Sequence, residues 1–185
     1  MLILASNSPR RKELITEYIT SDFLIIPSSI KEEYDPDLTI EENILNIAKV
    51  KGEEIHLLHP LDVVISADTM VVFNNKVYGK PKDKTEAFKM LKELSDNEHK
   101  VMTAYHIFYN NKVISRLVIS RVRFTLLSDE FINSYISSGS PLDKAGAYGI
   151  QDEMMKDKIE YYKGSLSNII GLPIEDVKKD LEGLK

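Results

Sequence analysis

The segment SNSPRRK at residues 6–12 places three cations in the first turn of a predicted helix. The apolar residues 2–5 predict a buried strand before it, and Ser8, followed by a proline, is typical of an N-cap. Cations are unfavourable there, by about 0.3–1 kcal/mol each, because the helix dipole is positive at its N-terminus. A bound anion would remove this conflict, with backbone N–H groups, Arg10 and Arg11 holding phosphate oxygens. The alternative is an exposed basic helix start.

Asp68 is the second candidate, because it follows the apolar run VVISA at residues 63–67 and precedes Thr69. An acid at the carboxyl end of a buried strand lies where α/β sheets present ligands. Its carboxylate is suited to binding a divalent metal or to accepting a proton from water. The alternative is an aspartate that caps the following turn.

Lys80 lies in the tight turn GKP at residues 79–81. A lysine between glycine and proline is held on a stiff turn, from which its ammonium can reach an anion as a point charge. The alternative is an ordinary solvated lysine.

The segment GSPLDKAGAYGIQ at residues 139–151 is the fourth candidate. Its glycines allow the backbone to approach a ligand closely. Gln151 offers both a donor and an acceptor, as recognition of a nucleobase edge requires. Tyr148 is suited to stacking on a ligand or to filling the core. The alternative is a glycine-containing loop with a structural role alone.

Composition excludes several other kinds of protein. The 185 residues contain no cysteine, which excludes disulfides, cysteine-based metal centres and a thiol nucleophile. The net charge of −5 argues against a nucleic-acid partner. No apolar run reaches the roughly 18–20 residues of a membrane span, and the N-terminus lacks the pattern of a signal peptide. We therefore expect a cytoplasmic protein with no membrane or nucleic-acid partner.

The elements that must position these side chains alternate between strands and helices, which predicts a mixed α/β sheet in one domain, residues 1–185. A capping box at Thr39 and Glu42, an N-cap at Asp83 and another at Ser128 mark helix starts. Predicted strands cover residues 2–5, 23–27, 63–67, 70–73, 77–78, 101–109 and 113–126. Helices are predicted from residues 8, 39, 83, 128 and 173.

Five segments, in order, resemble the motifs of the Maf family of nucleotide pyrophosphatases. They are SNSPRR at residues 6–11, ADT at 67–69, GKP at 79–81, DKAGAYGIQ at 143–151, and GS at 164–165 followed by GLP at 171–173. Together they span nearly the whole chain. The resemblance implies an elongated mixed sheet flanked by helices, related to the inosine triphosphate pyrophosphatase architecture, with a substrate cleft between two lobes.

The resemblance also implies an activity. Maf proteins use a divalent metal, Mg²⁺ or Mn²⁺, to hydrolyse a nucleoside triphosphate to the monophosphate and pyrophosphate. The segment DKAGAYGIQ resembles the branch that acts on dTTP and UTP, whereas a sister branch acts on 7-methyl-GTP. Family members are often homodimers. Two alternatives remain open at this point: a nucleotide-binding regulator of septum formation and cell division, and a pyrophosphatase for 7-methyl-GTP or other modified nucleotides.

By this resemblance, Asp68 is the expected proton acceptor, and Glu32 and Asp68 are the expected metal ligands. The expected specificity residues are Arg10, Thr69 and Gln151. The expected phosphate-binding residues are Ser8, Arg11, Lys51 and Lys80. The adjacent Glu33 remains an alternative to Glu32. The sequence departs from the family after Gln151, where DEMM at residues 152–155 replaces small, glycine-rich residues. We expect these two acids to lie beside the base pocket and to alter affinity or specificity.

Overall fold

The computed structural model describes residues 1–184. The strands are β1 (Leu2–Leu4), β2 (Leu24–Ile25), β3 (Val63–Phe73), β4 (Lys76–Tyr78), β5 (Glu98–Tyr109), β6 (Lys112–Phe124) and β7 (Ile159–Lys163). The helices are α1 (Pro9–Tyr18), α2 (Ile40–Leu58), α3 (Lys84–Leu94), α4 (Asp129–Ser137), α5 (Leu166–Ile170) and α6 (Ile174–Glu182). None of the helices in this described part of the chain is both long and apolar enough to cross a bilayer.

The strands form one mixed sheet in the order β2-β1-β3-β5-β6-β7, with β4 paired to β3. β1 is parallel to β2 and β3, with Ile3 opposite Leu24 and Val64. β4 is antiparallel to β3, and β7 is antiparallel to β6 with Val122 opposite Tyr162. This arrangement confirms the predicted mixed α/β sheet.

Local sequence signals mark the helix starts as predicted. The Ser8 hydroxyl accepts the Arg11 N–H at 3.4 Å, with Pro9 as the first residue of α1. The capping box at Thr39 and Glu42 is complete, because each side chain bonds the other's backbone N–H. These caps satisfy backbone donors that have no partner within the helix.

The described residues form two compact units, each assembled from separated segments of the chain. Of the residues that the structure describes, unit 1 comprises 1–69, 103–118 and 171–184, and unit 2 comprises 70–102 and 119–170. β3, β5 and β6 contribute residues to both units.

Unit 1 packs α2 against its strands at Gly52. A Cβ atom there would lie 2.2 Å from the Phe108 ring and 2.5 Å from the Ser66 hydroxyl. The Ser66 hydroxyl donates to the Ala48 carbonyl at 2.6 Å, which satisfies a buried polar group. The absence of a side chain at Gly52 therefore allows this close approach.

Unit 2 has an aromatic core around Tyr148. Its ring makes edge-to-face contacts with Phe124 and His99, at centroid distances of 4.7 and 5.3 Å. The Tyr148 hydroxyl also meets His99 Nε2 at 2.7 Å. Tyr148 therefore fills the core. Burial lowers the pKa of His99 to about 3, so this imidazole is neutral at pH 7.

The sequence prediction differs from the structure at β2, at β3 and between β7 and α5. β3 runs unbroken through Asp68 and Thr69, which were expected to follow the end of a strand. β2 has only two residues, and both are exposed. β7 and α5 were not predicted, because β7 lacks the apolar pattern of a buried strand and α5 has only five residues. In β3 and β7 the backbone pairs with neighbouring strands regardless of side-chain polarity, and the sequence pattern does not show this pairing.

Candidate active site

Lys51 lies between two carboxylates of unit 1. Its Nζ donates to Asp68 Oδ1 at 3.1 Å and to Glu32 Oε1 at 2.6 Å. The side chains of Lys51 and Asp68 are each only 13% exposed, whereas that of Glu32 is 55% exposed. The Lys51 ammonium thus joins three segments: the central part of α2, the middle of β3 and the loop before α2. The contact favours Glu32 over the adjacent Glu33 as the acid of this site.

Burial raises the pKa of Asp68, and the nearby negative charge of Glu32 acts in the same direction. The positive charges of Lys51 and Arg11 oppose this rise. A carboxylate with a raised pKa is a stronger base, and such a group beside specific charged partners is typical of catalytic sites. Asp68 therefore has the environment of a proton acceptor.

The loop that contains Glu32 is fastened to α2 at both ends. Glu54 accepts hydrogen bonds from the Ser28 hydroxyl and from both the hydroxyl and the N–H of Ser29, the last at 2.9 Å. At the other end, Asn43 accepts the Asp35 N–H at 2.7 Å and donates to the Asp35 carbonyl at 2.8 Å. The same helix supplies Lys51, so α2 positions both partners of the Glu32–Lys51 contact.

Arg11 is buried, and its guanidinium joins distant parts of unit 1. Nε donates to the Gly171 carbonyl at 2.8 Å, Nη1 to the Ser6 hydroxyl at 3.1 Å and Nη2 to the Thr69 hydroxyl at 3.0 Å. Burial lowers the pKa of Arg11, and the charge of Asp68 opposes this effect. Gly171 has a φ of +135°, a conformation that favours glycine.

Thr69 is the second centre of this network. Its hydroxyl accepts from Arg11 and donates to the Gly171 carbonyl at 3.3 Å. The same hydroxyl lies 3.0 Å from the Thr103 hydroxyl. Ser6, Thr103 and Gly171 were not predicted as site residues. The motif GLP at residues 171–173 was a usable signal, but Thr103 lies in an apolar strand pattern that gave none.

The other two residues predicted at the start of α1 are also in unit 1. The Ser8 hydroxyl is the N-cap described above, and its oxygen accepts from the backbone of Arg11. Arg10 is half-buried, and its charge contributes to the lowered pKa of Arg11. Unit 1 therefore brings together seven of the nine predicted site residues, namely Ser8, Arg10, Arg11, Glu32, Lys51, Asp68 and Thr69.

Lys80 and Gln151 belong to unit 2, and both side chains are exposed. The turn with Lys80 is fastened by the Gly146 N–H, which donates to the Gly79 carbonyl at 3.1 Å. Gln151 lies in a β-turn that the Asp152 N–H closes by donating to the Gly149 carbonyl at 3.1 Å.

Glu32 and Asp68 are the residues of this site that could hold a divalent metal. Mg²⁺ is usually bound by one or two carboxylates together with substrate phosphates, so this pair of hard oxygen donors fits such an ion. Across residues 1–184 there is no group of three or more His, Asp or Glu side chains arranged to hold a metal. A metal bound here would therefore take its remaining ligands from water or from the substrate.

Comparison with known proteins shows that the chain belongs to the family of Maf-like proteins. A family model described as "Maf-like protein" matches residues 1–184. The dTTP/UTP pyrophosphatase of Pyrococcus furiosus is 41% identical over 181 residues, covering 98% of this chain and 94% of that protein. The dTTP/UTP pyrophosphatase of Clostridium botulinum is 41% identical over 186 residues, covering 97% of this chain and 95% of that protein.

Two solved structures show the same fold. The Ham1 protein of Staphylococcus aureus matches with a TM-score of 0.54 at 14% identity, covering 100% of this chain and 99% of that one. A HAM1 protein from Coxiella burnetii matches with a TM-score of 0.52 at 12% identity, covering 98% of each chain. At these identities the likeness concerns the fold alone.

Proposed function

Because the chain belongs to the family of Maf-like proteins, we propose that it hydrolyses dTTP and UTP to the nucleoside monophosphate and pyrophosphate. The observation that supports this most directly is the buried Asp68 carboxylate, with its raised pKa, in contact with the Lys51 ammonium. The names of the relatives supply the substrates, and the cluster supplies a base and cations suited to phosphate chemistry.

Asp68 acts as the general base in this proposal. Its carboxylate takes a proton from a water molecule, whose oxygen forms a bond to the α-phosphorus. The bond from that phosphorus to the oxygen bridging the α- and β-phosphates then breaks, and pyrophosphate leaves with the electron pair. Such proton transfer by a positioned side chain typically contributes about 10²–10⁴-fold to the rate.

The cations stabilise the charge that develops on the phosphates. Arg11, Lys51 and Lys80 are the proposed partners of the phosphate oxygens, together with the Ser8 hydroxyl and the N-terminus of α1. A nucleoside triphosphate carries about four negative charges, so a chain of net charge −5 needs such a local concentration of cations. Mg²⁺ or Mn²⁺ held by Glu32 and Asp68 would neutralise phosphate charge and polarise the phosphoryl group.

Recognition of the base is assigned to Arg10, Thr69 and Gln151. The Gln151 amide can both donate to and accept from the O4 and N3–H edge that thymine and uracil share. A cytoplasmic location, expected from the sequence, and a homodimer, which the family resemblance suggests, stay predictions.

The test is pyrophosphate release, with Mg²⁺ or Mn²⁺, from dTTP, UTP, CTP, 7-methyl-GTP, ITP and the standard purine triphosphates. Wild type should release pyrophosphate from dTTP and UTP, and Asp68→Asn should reduce kcat by about 10²–10⁴-fold while still binding nucleotide. Asp62→Asn is the matched control, because Asp62 lies just before the same strand and pairs with the N-terminal ammonium at 2.9 Å.

A near wild-type kcat in Asp68→Asn would contradict the role of Asp68. Release mainly from another nucleotide would keep the reaction and change the substrate. Nucleotide binding without any release would favour a regulatory protein over an enzyme.

A further inference from the structure

Asp152 is one of the two acids that follow Gln151, and its side chain is hydrogen-bonded to residues outside the turn that contains Gln151. Its Oδ2 accepts hydrogen bonds from the Tyr135 hydroxyl and from the Ser140 hydroxyl, the latter at 2.7 Å. The Lys144 ammonium lies 4.0 Å from the same oxygen. The neighbouring Glu153 differs, because its side chain is 86% exposed and forms an ion pair with Lys156 at 3.4 Å, a cation that is itself 72% exposed. Only Asp152 is therefore built into the structure of unit 2.

Tyr135 connects this carboxylate to the other end of the turn. Its hydroxyl donates to Asp152 and accepts the Gly149 N–H at 3.0 Å. The side chain is 1% exposed, and burial raises the pKa of Tyr135, so the hydroxyl keeps the proton that it donates. One buried hydroxyl therefore holds the first and last residues of the turn that contains Gln151.

The space beside this turn is filled. A Cβ atom at Gly149 would lie 2.8 Å from Asp152 Oδ1 and 2.8 Å from Lys144 Cε. The Asp152 carbonyl also accepts the N–H of Met155, a fully buried residue, at 2.9 Å. The turn is thus held by the side chain of Tyr135 and by the backbone hydrogen bond to Met155, while the side chain of Gln151 is exposed.

We propose that Tyr135 and Asp152 are positioning residues that set base selectivity through Gln151. The inference rests on the proposed function, because it takes Gln151 as the residue that recognises the base. Uracil presents an acceptor at position 4 where cytosine presents a donor. A glutamine amide can offer either group, so its selectivity depends on how closely the backbone fixes its position.

The first experiment measures kcat and KM for UTP and CTP in Tyr135→Phe and Asp152→Asn. Phenylalanine keeps the volume of the buried ring and removes the hydroxyl that holds the turn. We expect a roughly tenfold rise in KM for UTP, with kcat retained, and a fall of similar size in the ratio of kcat/KM for UTP to that for CTP. Glu153→Gln is the matched control, because it removes the same charge one residue away, and it should leave the ratio unchanged.

The second experiment repeats Tyr135→Phe in a Gln151→Ala background. If Tyr135 acts through Gln151, the substitution should produce no further change in the ratio there. An equal additional change in that background would overturn the inference, and so would an unchanged ratio in both single variants of an active enzyme. Loss of thermal stability with an unchanged ratio would show a merely structural role and overturn it too.

These outcomes separate the inference from the proposed function. A folded wild type that releases no pyrophosphate from any nucleotide contradicts both. Pyrophosphate release by the wild type, with selectivity that does not respond to Tyr135 or Asp152, contradicts this inference alone.

Discussion

The two regions with the predicted site residues are held in different ways. In unit 1, Arg11, Lys51 and Asp68 are charged groups withdrawn from water, and each is matched by partners from distant parts of the chain. In unit 2, Gln151 is exposed, and the side chains that hold its turn lie within 17 residues of one another. The first region resembles a reaction centre with shifted pKa values, and the second resembles a recognition loop on a stiff support.

Removing the Arg11 guanidinium should have the largest effect, because it anchors unit 1 around the reaction centre. Arg11→Met leaves the Gly171 carbonyl and the Ser6 and Thr69 hydroxyls without their charged donor. We expect the free energy of unfolding to fall by about 3 kcal/mol, measured by urea denaturation. Lys12→Met, which removes an exposed cation one residue away, should stay within about 0.5 kcal/mol of wild type. Equal effects of the two variants would mean that the Arg11 network is not an anchor.

The second prediction concerns His99 in unit 2 and the pH dependence of stability. The unfolded chain binds a proton at this residue below pH 6.5, whereas the folded protein does so only near pH 3. The free energy of unfolding should therefore fall as the pH is lowered through this window, by at most about 1.4 kcal/mol per pH unit from this group.

His99→Gln should remove this contribution while keeping a polar partner for Tyr148. Tyr148→Phe, which keeps the imidazole, should lower stability without removing the slope. Urea denaturation at several pH values between 6.5 and 4 measures both. If the slope is the same in wild type and His99→Gln, the imidazole is not a group that destabilises unit 2 in acid.

The third prediction uses the charges around Asp68. Lys51→Met removes a positive charge that lowers the pKa of Asp68, and Glu32→Gln removes a negative charge that raises it. A base must be deprotonated, so the acidic limb of the kcat profile should move to higher pH in Lys51→Met and to lower pH in Glu32→Gln. A shift of about one pH unit each way is expected. Shifts of the same sign in both variants would contradict the role of Asp68 as the titrating base.

The smallest effect is expected from loosening the loop that contains Glu32. Glu54→Gln weakens the hydrogen bonds to Ser28 and Ser29, and we expect about a threefold rise in KM for UTP with little change in kcat. Glu53→Gln is the matched control, because Glu53 lies on the same helix and its ion pair, with Lys49 at 3.3 Å, is within that helix rather than with the loop. Equal KM values in the two variants would show that α2 does not position the loop.

Sequence patterns were sufficient where the determining contacts are local. The N-caps at Ser8 and Thr39 each depend on residues three positions apart, and both are present. Asn74 and Asn75 separate the predicted strands 70–73 and 77–78, a spacing typical of a hairpin, and both residues have positive φ, as a tight hairpin turn requires. The ordered motifs also identified the Maf family, and the comparisons confirm that family.

The departure after Gln151 shows where such reasoning ends. The sequence shows two acids, Asp152 and Glu153, with nothing to distinguish them. Asp152 meets a hydroxyl 17 residues away, whereas Glu153 stays in solvent. Their difference depends on the packing of α4 against the turn, which no short pattern in the sequence encodes.

The sequence by itself determined the family, the helix starts and the turn at Asn74 and Asn75, because these depend on ordered motifs, residue type and short spacing. Only the tertiary structure decided that Arg11 bonds a carbonyl 160 residues away, that Asp68 lies in the middle of β3, and that Glu32 is the acid on Lys51. The contacts of Arg11 and Lys51, and the pairing of β3 with its neighbouring strands, each join separate segments of the chain. They form when backbone pairing and burial bring those segments together, so their partners cannot be read from either segment alone.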